Sequence, residues 1–485
     1  MKIAPPIPPT RRLNFRAVSV VITVAVGLAF TSPARAAGSE TDRLARLEAA
    51  VNALQSQNAE LKKEVSSLKN QKPAAKSAVA GKTPDGKGVM QTVVEKLPVY
   101  VVPGGNETKL VLGGYLQGDY NVGDVDAYRG RFPGLLTAKT KDRFRLRRAR
   151  IALTGDFLEQ FDFKLQGDFQ FGDEGLVVRD STGRILANNT NRTAFSGADL
   201  WVNWHALPEA NIRVGQYIVG GMEILTPDIA LLAIERSQVT EAIVPDRQIG
   251  LQVWGKPLTN LWPKQKDFLS YTAGVYNGNG RNTITNDNNE YMYAATLDAQ
   301  LYKGKVVGQD VLLKFGGNYF TDRDDKGTNI SPIGNLLVGK DGSLSAGTLP
   351  GPDERHSYGV HGSLQVGPFD VVAEYLDEKV SPREVNNRVK PGFKAFDANG
   401  YYVAAGLFVL PKKVQLIGKY ETFNPGQVAN DDFQTATFGI NYLIKGNDLK
   451  LMADYVHTWS DFRDHNPRFG DSGFDEVRLR AQVVF

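Results

Sequence analysis

The run Phe161-Asp162-Phe163-Lys164-Leu165-Gln166-Gly167-Asp168-Phe169-Gln170-Phe171 alternates without a break. Side chains along a strand point to opposite faces in turn. One face therefore holds Phe161, Phe163, Leu165, Gly167, Phe169 and Phe171, and the other holds Asp162, Lys164, Gln166, Asp168 and Gln170. A soluble sandwich can show the same pattern with its apolar face turned inward, so repetition has to decide. From Lys109 to Phe485, clusters of Gly, Asn, Asp and Pro cut the chain into sixteen alternating segments of about ten residues. They begin near Lys109, Arg143, Phe161, Ala198, Asn211, Gln248, Leu269, Tyr291, Val311, Ser357, Phe369, Tyr401, Val414, Thr435, Leu449 and Val477. Tyr or Trp stands near segment ends at Tyr120, Trp204, Tyr291, Tyr319, Tyr358, Tyr375 and Tyr442, as in the aromatic girdles of a bilayer-spanning sheet. Short turns (Leu158 to Phe161, Gly367-Pro368) alternate with long polar stretches such as Thr321 to His356. These features predict an all-β fold, a sixteen-stranded antiparallel transmembrane β-barrel, a size that leaves an aqueous channel.

Composition agrees. The 485 residues carry 57 Lys+Arg against 53 Asp+Glu, 49 Gly, five His and no Cys. Without cysteine there is no disulfide framework, no thiolate metal site and no thiol nucleophile. A mean hydropathy of −0.29 excludes a polytopic helical membrane protein but not a barrel, whose strands are only half apolar. Residues 1–36 read as a signal peptide: Lys2, Arg11, Arg12 and Arg16 precede an apolar run from Ala17 to Phe30 and the small-x-small site Ala34-Arg35-Ala36. That run falls short of the roughly 20 residues a spanning helix needs. Removing the segment takes away five positive charges and no negative one, so the formal +4 becomes −1 and nucleic acid is not an implied partner.

Residues 40–71 read as a coiled coil. Leu44, Val51, Asn58 and Val65 occupy a positions, and Leu47, Leu54, Leu61 and Leu68 occupy d. A β-branched a position with a buried Asn leans toward two strands; a lone amphipathic helix packed on its own barrel is the alternative. The expected organisation is thus a short periplasmic coiled-coil helix, a flexible linker over 72–108 rich in Lys, Gly, Ala and Pro, and a barrel over 109–485.

The segment order also resembles the phosphate-selective porin O and P family of Gram-negative outer membranes. The residues that carry it are Gly113-Gly-Tyr-Leu-Gln-Gly-Asp-Tyr120, Phe144-Arg-Leu-Arg-Arg-Ala-Arg-Ile-Ala-Leu153, Val214-Gly-Gln-Tyr217, Glu235-Arg236, Ala373-Glu-Tyr-Leu376 and the last strand. The resemblance implies a homotrimer of sixteen-stranded barrels in the outer membrane, each with its third loop folded into the channel, passing small anions by diffusion. Two positions depart from the family pattern: Tyr115 stands where phosphate-specific members carry Arg, and Ile224 where they carry Lys.

A channel selects by the charge and width of its lining. Arg143, Arg145, Arg147, Arg148 and Arg150 fall within eight residues. Phe144 and Leu146 are apolar at even positions, whereas Ala149, Ile151 and Leu153 are apolar at odd ones. A β-bulge at Arg147 and Arg148 reconciles the two phases. It predicts a lumenal ladder of Arg143, Arg145, one of Arg147 and Arg148, and Arg150, unless these form a basic rim facing lipid headgroups. Inward phase adds Lys164, Arg213, Lys314, Lys419, Arg478 and Arg480, with Asp162, Asp168, Asp298, Glu374, Glu421 and Asp454 among them, so the lining is mixed. The expected constriction loop, Ile218 to Arg247, is apolar and long, and its candidate site residues are Glu223, Asp228, Glu235 and Arg236. Glu235 and Arg236 could equally be a structural pair.

Two short motifs do not stand. Gly470-Asp-Ser-Gly473 resembles a serine-protease nucleophile segment, but the histidines show no triad spacing. Asp322 to Gly327 starts like a calcium loop, yet its twelfth position is Ile333, so it reads as a solvated outer loop. Neither enzyme, metal nor cofactor is implied. The leading reading is an outer-membrane porin for passive diffusion of small hydrophilic solutes with a preference for phosphate or other anions. Its alternative is an envelope tether whose coiled coil contacts peptidoglycan while the barrel anchors it in lipid.

Overall fold

The computed structural model describes residues 89–92, 98–101, 109–132, 142–169, 178–179, 185–187, 195–325, 327, 335–347, 349–384 and 392–485. The signal-peptide and coiled-coil readings fall outside them. Within the stretch read as a linker, strands Val89–Thr92 and Pro98–Val101 pair with each other, and the second pairs with the start of the first barrel strand at Val99 and Val111.

Sixteen strands form the barrel: β1 (Lys109–Gly123), β2 (Arg143–Phe157), β3 (Phe161–Asp168), β4 (Ser196–Trp204), β5 (Asn211–Val219), β6 (Asp246–Gly255), β7 (Leu269–Tyr276) and β8 (Met292–Val306). The second half comprises β9 (Gln309–Asp324), β10 (Asp353–Val366), β11 (Phe369–Pro382), β12 (Phe396–Leu410), β13 (Val414–Asn424), β14 (Phe433–Lys445), β15 (Leu449–Ser460) and β16 (Gly473–Val484). Each pairs antiparallel with the next, and β16 pairs back onto β1 from Glu476–Gly123 to Val484–Tyr115. No edge is left open, which is what a lipid environment demands of a sheet.

The two faces are inverted relative to a soluble protein. On β16, Phe474, Glu476, Arg478, Arg480 and Gln482 are buried inside, while Val477, Leu479 and Val483 are 39–44% exposed outside. Outward apolar and inward polar side chains are what lipid outside and water or protein inside select. Outward tyrosines on neighbouring strands meet at Tyr358 and Tyr375 (6.5 Å between rings) and at Tyr401 and Tyr420 (6.3 Å).

All sixteen expected segments are present. Three begin four or five residues earlier than the alternation indicates, at Asp353, Phe396 and Gly473. These are long-loop ends, where the outward face leaves hydrocarbon and need no longer alternate. Asp322 and Asp324 correct the solvated-loop reading, since both lie buried within β9. The bulge is where the change of phase puts it: Gln117 pairs with Arg148 and Gly118 with Leu146, so Arg147 is the extra residue.

Candidate functional site

The third long connection, residues 220–245 and called L3 below, turns into the barrel instead of away from it. It contains α1 (Met222–Leu225), a 3-10 turn (Asp228–Ala230) and α2 (Gln238–Ile243), all too short to hold themselves together. The wall holds them through their peptide groups. Glu374 of β11 accepts the N–H groups of Met222 (2.9 Å) and Glu223 (3.1 Å), Asp454 of β15 accepts Ile234 (2.7 Å), and Glu421 of β13 accepts Gln238 (3.1 Å). Donors take the carbonyls: Lys450 bonds Leu231 O, Asn441 bonds Leu232 O, Arg480 bonds Ile234 O, Lys419 bonds Glu235 O and Gln482 bonds Ile229 O. Thr296 of β8 adds a bond to Gly220 O.

Side chains complete the anchor on β1, β2 and β16. Glu235 accepts Arg145 (2.5 Å) and Arg147 (2.8 Å) and lies within 3.4 Å of Arg480 and 3.7 Å of Arg129. Asp228 pairs with Arg150 (2.5 Å), Arg236 (2.5 Å) and Arg148 (3.3 Å) and accepts the Tyr115 hydroxyl (2.7 Å). Burial alone would raise both carboxyls, but the guanidiniums hold each well below the usual carboxylate range: Arg148, Arg236 and Arg150 around Asp228, and Arg147, Arg145 and Arg480 around Glu235. An inward-folded third loop in a sixteen-stranded barrel is the arrangement the family resemblance implied, and residues 122–485 match the family model described as "Phosphate-selective porin O and P". The chain belongs to this porin family. It is an outer-membrane channel for passive diffusion.

Among solved structures, the porin is similar to the outer membrane channel DcaP of Acinetobacter baumannii at 15% identity, over 78% of this chain and 97% of that one, with a TM-score of 0.48. It is also similar to an anion-selective porin from Comamonas acidovorans (12% identity, 78% and 100% coverage, TM-score 0.48) and to outer-membrane expressed OmpT of Vibrio cholerae (10%, 79% and 100%, TM-score 0.48). No curated protein matches the chain.

Each expected lining residue now has a place in the porin. All five arginines of β2 reach groups inside the barrel, including both Arg147 and Arg148 where the phase argument expected one. Arg143 pairs with Asp126 (2.7 Å), Arg145 also with Asp119 (3.3 Å), Arg147 also with Glu241 (3.7 Å) and Arg150 also with Asp168 (2.9 Å). Arg480 pairs with Asp119 (2.7 Å) and Lys419 with Glu421 (3.3 Å). Arg478 pairs with Glu476 (2.9 Å) and stands over the Tyr128 ring at 3.8 Å. Lys164 pairs with Asp199 (2.7 Å), which also holds Arg247 (2.9 Å), while Asp298 meets His361 (2.6 Å). Glu223 accepts the Ser237 N–H and hydroxyl within L3. Glu235 and Arg236 do not form the pair that their adjacency suggested: Glu235 faces the wall arginines and Arg236 faces Asp228.

Two lumenal cations stand apart. Lys314 on β9 is exposed, and neither it nor Arg213 on β5 makes an ion pair among the described residues. Arg213 lies between aromatic rings, 4.4 Å from the centre of Trp201 and 5.1 Å from that of Trp254.

Several anchoring groups went unread in the sequence. Gln117, Asn441, Lys450 and Gln482 share the inward phase of their strands, so periodicity places them, but nothing local says that a loop's peptide groups lie opposite. The first long loop also enters the lumen. Its buried turn Ala127–Arg129 brings Arg129 within 3.3 Å of Glu241, and its Phe132 stacks on Phe474 at 4.7 Å.

Proposed function

We propose that this porin is a general diffusion channel with a mild preference for anions rather than a phosphate-specific one. The observation that carries the reading is the balance of the L3 ion-pair clusters among the described residues. Around Glu235, four guanidiniums (Arg129, Arg145, Arg147, Arg480) meet three carboxylates (Glu235, Glu241, Asp119). Around Asp228, three (Arg148, Arg150, Arg236) meet two (Asp228, Asp168). Each cluster holds one guanidinium in excess, offset around the same loop by Glu223, Glu374, Glu421 and Asp454 against Lys419 and Lys450, so the constriction is near charge balance and the selectivity it imposes is weak. Carboxylates already occupy the donors that a stripped phosphate would need. Tyr115 is tied to Arg150 (2.7 Å) and Asp228, and Ile224 is 3% exposed, so neither position supplies a cation to the passage.

The test is the reversal potential of single channels in a planar bilayer under a KCl gradient, with phosphate then titrated in. We expect weak anion selectivity and no block by dilute phosphate. Cation selectivity overturns the reading, and block at low phosphate returns the channel to the specific branch of the family. The assembly is read as a homotrimer, as the resemblance implies; the native mass of the extracted protein checks it, and a dimer mass refutes it. The tether reading rests on the heptads of residues 40–71. It predicts that deleting residues 37–88 loosens envelope attachment while conductance stays constant.

A further inference from the structure

The hydrogen bonds and ion pairs of L3 reach Thr296 on β8, Glu374 on β11 and then every strand from β13 through the closure to β2, but none on β3, β4 or β7. Among the described residues, β3, β4 and β7 thus carry no polar tie to L3, although Tyr217 on β5 and Tyr276 on β7 share an apolar cluster with its Ile224, Val239 and Ile243. Arg213 lies on β5, beside that cluster. Ile212 and Val214 on either side of it are 37% and 53% exposed on the lipid face, so Arg213 points inward, near the short-turn end of β5. Both indoles beside it also face inward, because their exposed neighbours Leu200, Val202 and Leu251 face lipid.

We propose that Arg213, Trp201 and Trp254 form a binding station for carboxylates carrying a planar apolar body; this rests on the diffusion-channel reading and names a solute class for it. The guanidinium makes no hydrogen bond or ion pair among the described residues, and its Nε is buried without a partner. Its Cζ lies over the rings of Trp201, Trp254 and Tyr217 at 4.4, 5.1 and 5.4 Å, and a guanidinium stacked on rings keeps its in-plane edge for a carboxylate, which accepts two parallel N–H bonds there. The nearby acid is engaged elsewhere. Asp162 accepts Asn203 Nδ2 (2.6 Å) and lies 3.8 Å from His205, while Asn203 Oδ1 accepts the Trp254 indole N–H (2.8 Å). That chain fixes the Trp254 ring, while Asp162 and Asp199 act on Arg213 through their charge without forming an ion pair with it. A carboxylate seated on the edge brings its body alongside two rings, where flat apolar matter is favoured. Chloride and phosphate gain only the charge.

The experiment uses the full chain in planar bilayers, with benzoate as the probe and acetate as its comparison. Benzoate is expected to interrupt the chloride current for longer than acetate does. Arg213→Gln should shorten the benzoate interruptions about tenfold, the loss of one charge-assisted contact, and Trp201→Leu should shorten them toward those of acetate. Arg213→Lys should keep the ion selectivity without restoring the benzoate dwell, since a point charge lacks the planar edge. Equal dwell times for benzoate and acetate, or dwell times indifferent to Arg213→Gln, overturn the station. The reversal potential in KCl is read in the same records. A cation-selective channel with long benzoate dwell would refute the anion preference and keep the station, so the two claims fail separately.

Discussion

Glu235 is the residue whose loss should be felt most. Its side chain is fully enclosed and serves Arg145, Arg147 and Arg480 together, so Glu235→Gln leaves guanidiniums buried without their counter-charge. Breaking a buried pair on one side costs about 3–5 kcal/mol. We expect a lower temperature for loss of the heat-resistant barrel, noisier open-channel current and a reversal potential shifted further toward anions; a quiet channel with unchanged selectivity would contradict the anchoring role. The same carboxyls set the pH response. Because Asp228 and Glu235 are held below their ordinary values, their contribution to docking is present above the unfolded values of about 3.9 and 4.3. It is lost only as pH falls through the depressed ones. The ion pairs of Asp228 and Glu235 should therefore stay intact between pH 8 and 5, so conductance and noise in that range should titrate alike in the parent channel and in Glu235→Gln. A transition there that Glu235→Gln abolishes would contradict this.

At the scale of elements, β2 shows how far periodicity can be read. The lipid face changes parity between Leu146 and Ala149, and the ladder absorbs it by leaving Arg147 unpaired. Deleting Arg147 should thus give a regular strand in which Arg145, Arg148 and Arg150 still face inward, and the barrel should assemble. Deleting Leu146 instead forces a guanidinium onto the lipid face, at about 2–4 kcal/mol near the midplane. Gel mobility of unheated and heated samples separates the two, and equal assembly of both would refute the register. The strands were legible because each must satisfy lipid on one side over its whole length. Their outer ends at Asp353, Phe396 and Gly473 were not, because above the bilayer that demand lapses. The short turns of L3 carry no period at all.

For the whole molecule, residue phase located the lining but not its occupation. Lys419, Arg480, Glu374, Glu421 and Asp454 face inward as their strands require, yet they are spent on the backbone of a loop more than a hundred residues away in sequence. No local pattern encodes that pairing, whereas Arg213 and its indoles were readable as inward but not as a group. Removing α1 to α2 as a block should raise single-channel conductance while the β16–β1 ladder still closes the barrel, at a lower heat-dissociation temperature because the wall arginines lose Glu235 and Asp228; an unchanged conductance would mean that L3 is not the constriction. The way L3 is mounted has a further consequence. The wall grips mostly peptide N–H and C=O groups, which every non-proline residue offers alike, while Leu225, Pro227 and Ala230 turn exposed side chains away from that grip. The loop is a cartridge in a fixed socket: its free side chains can drift or be redesigned for a new solute while the mount stays the same.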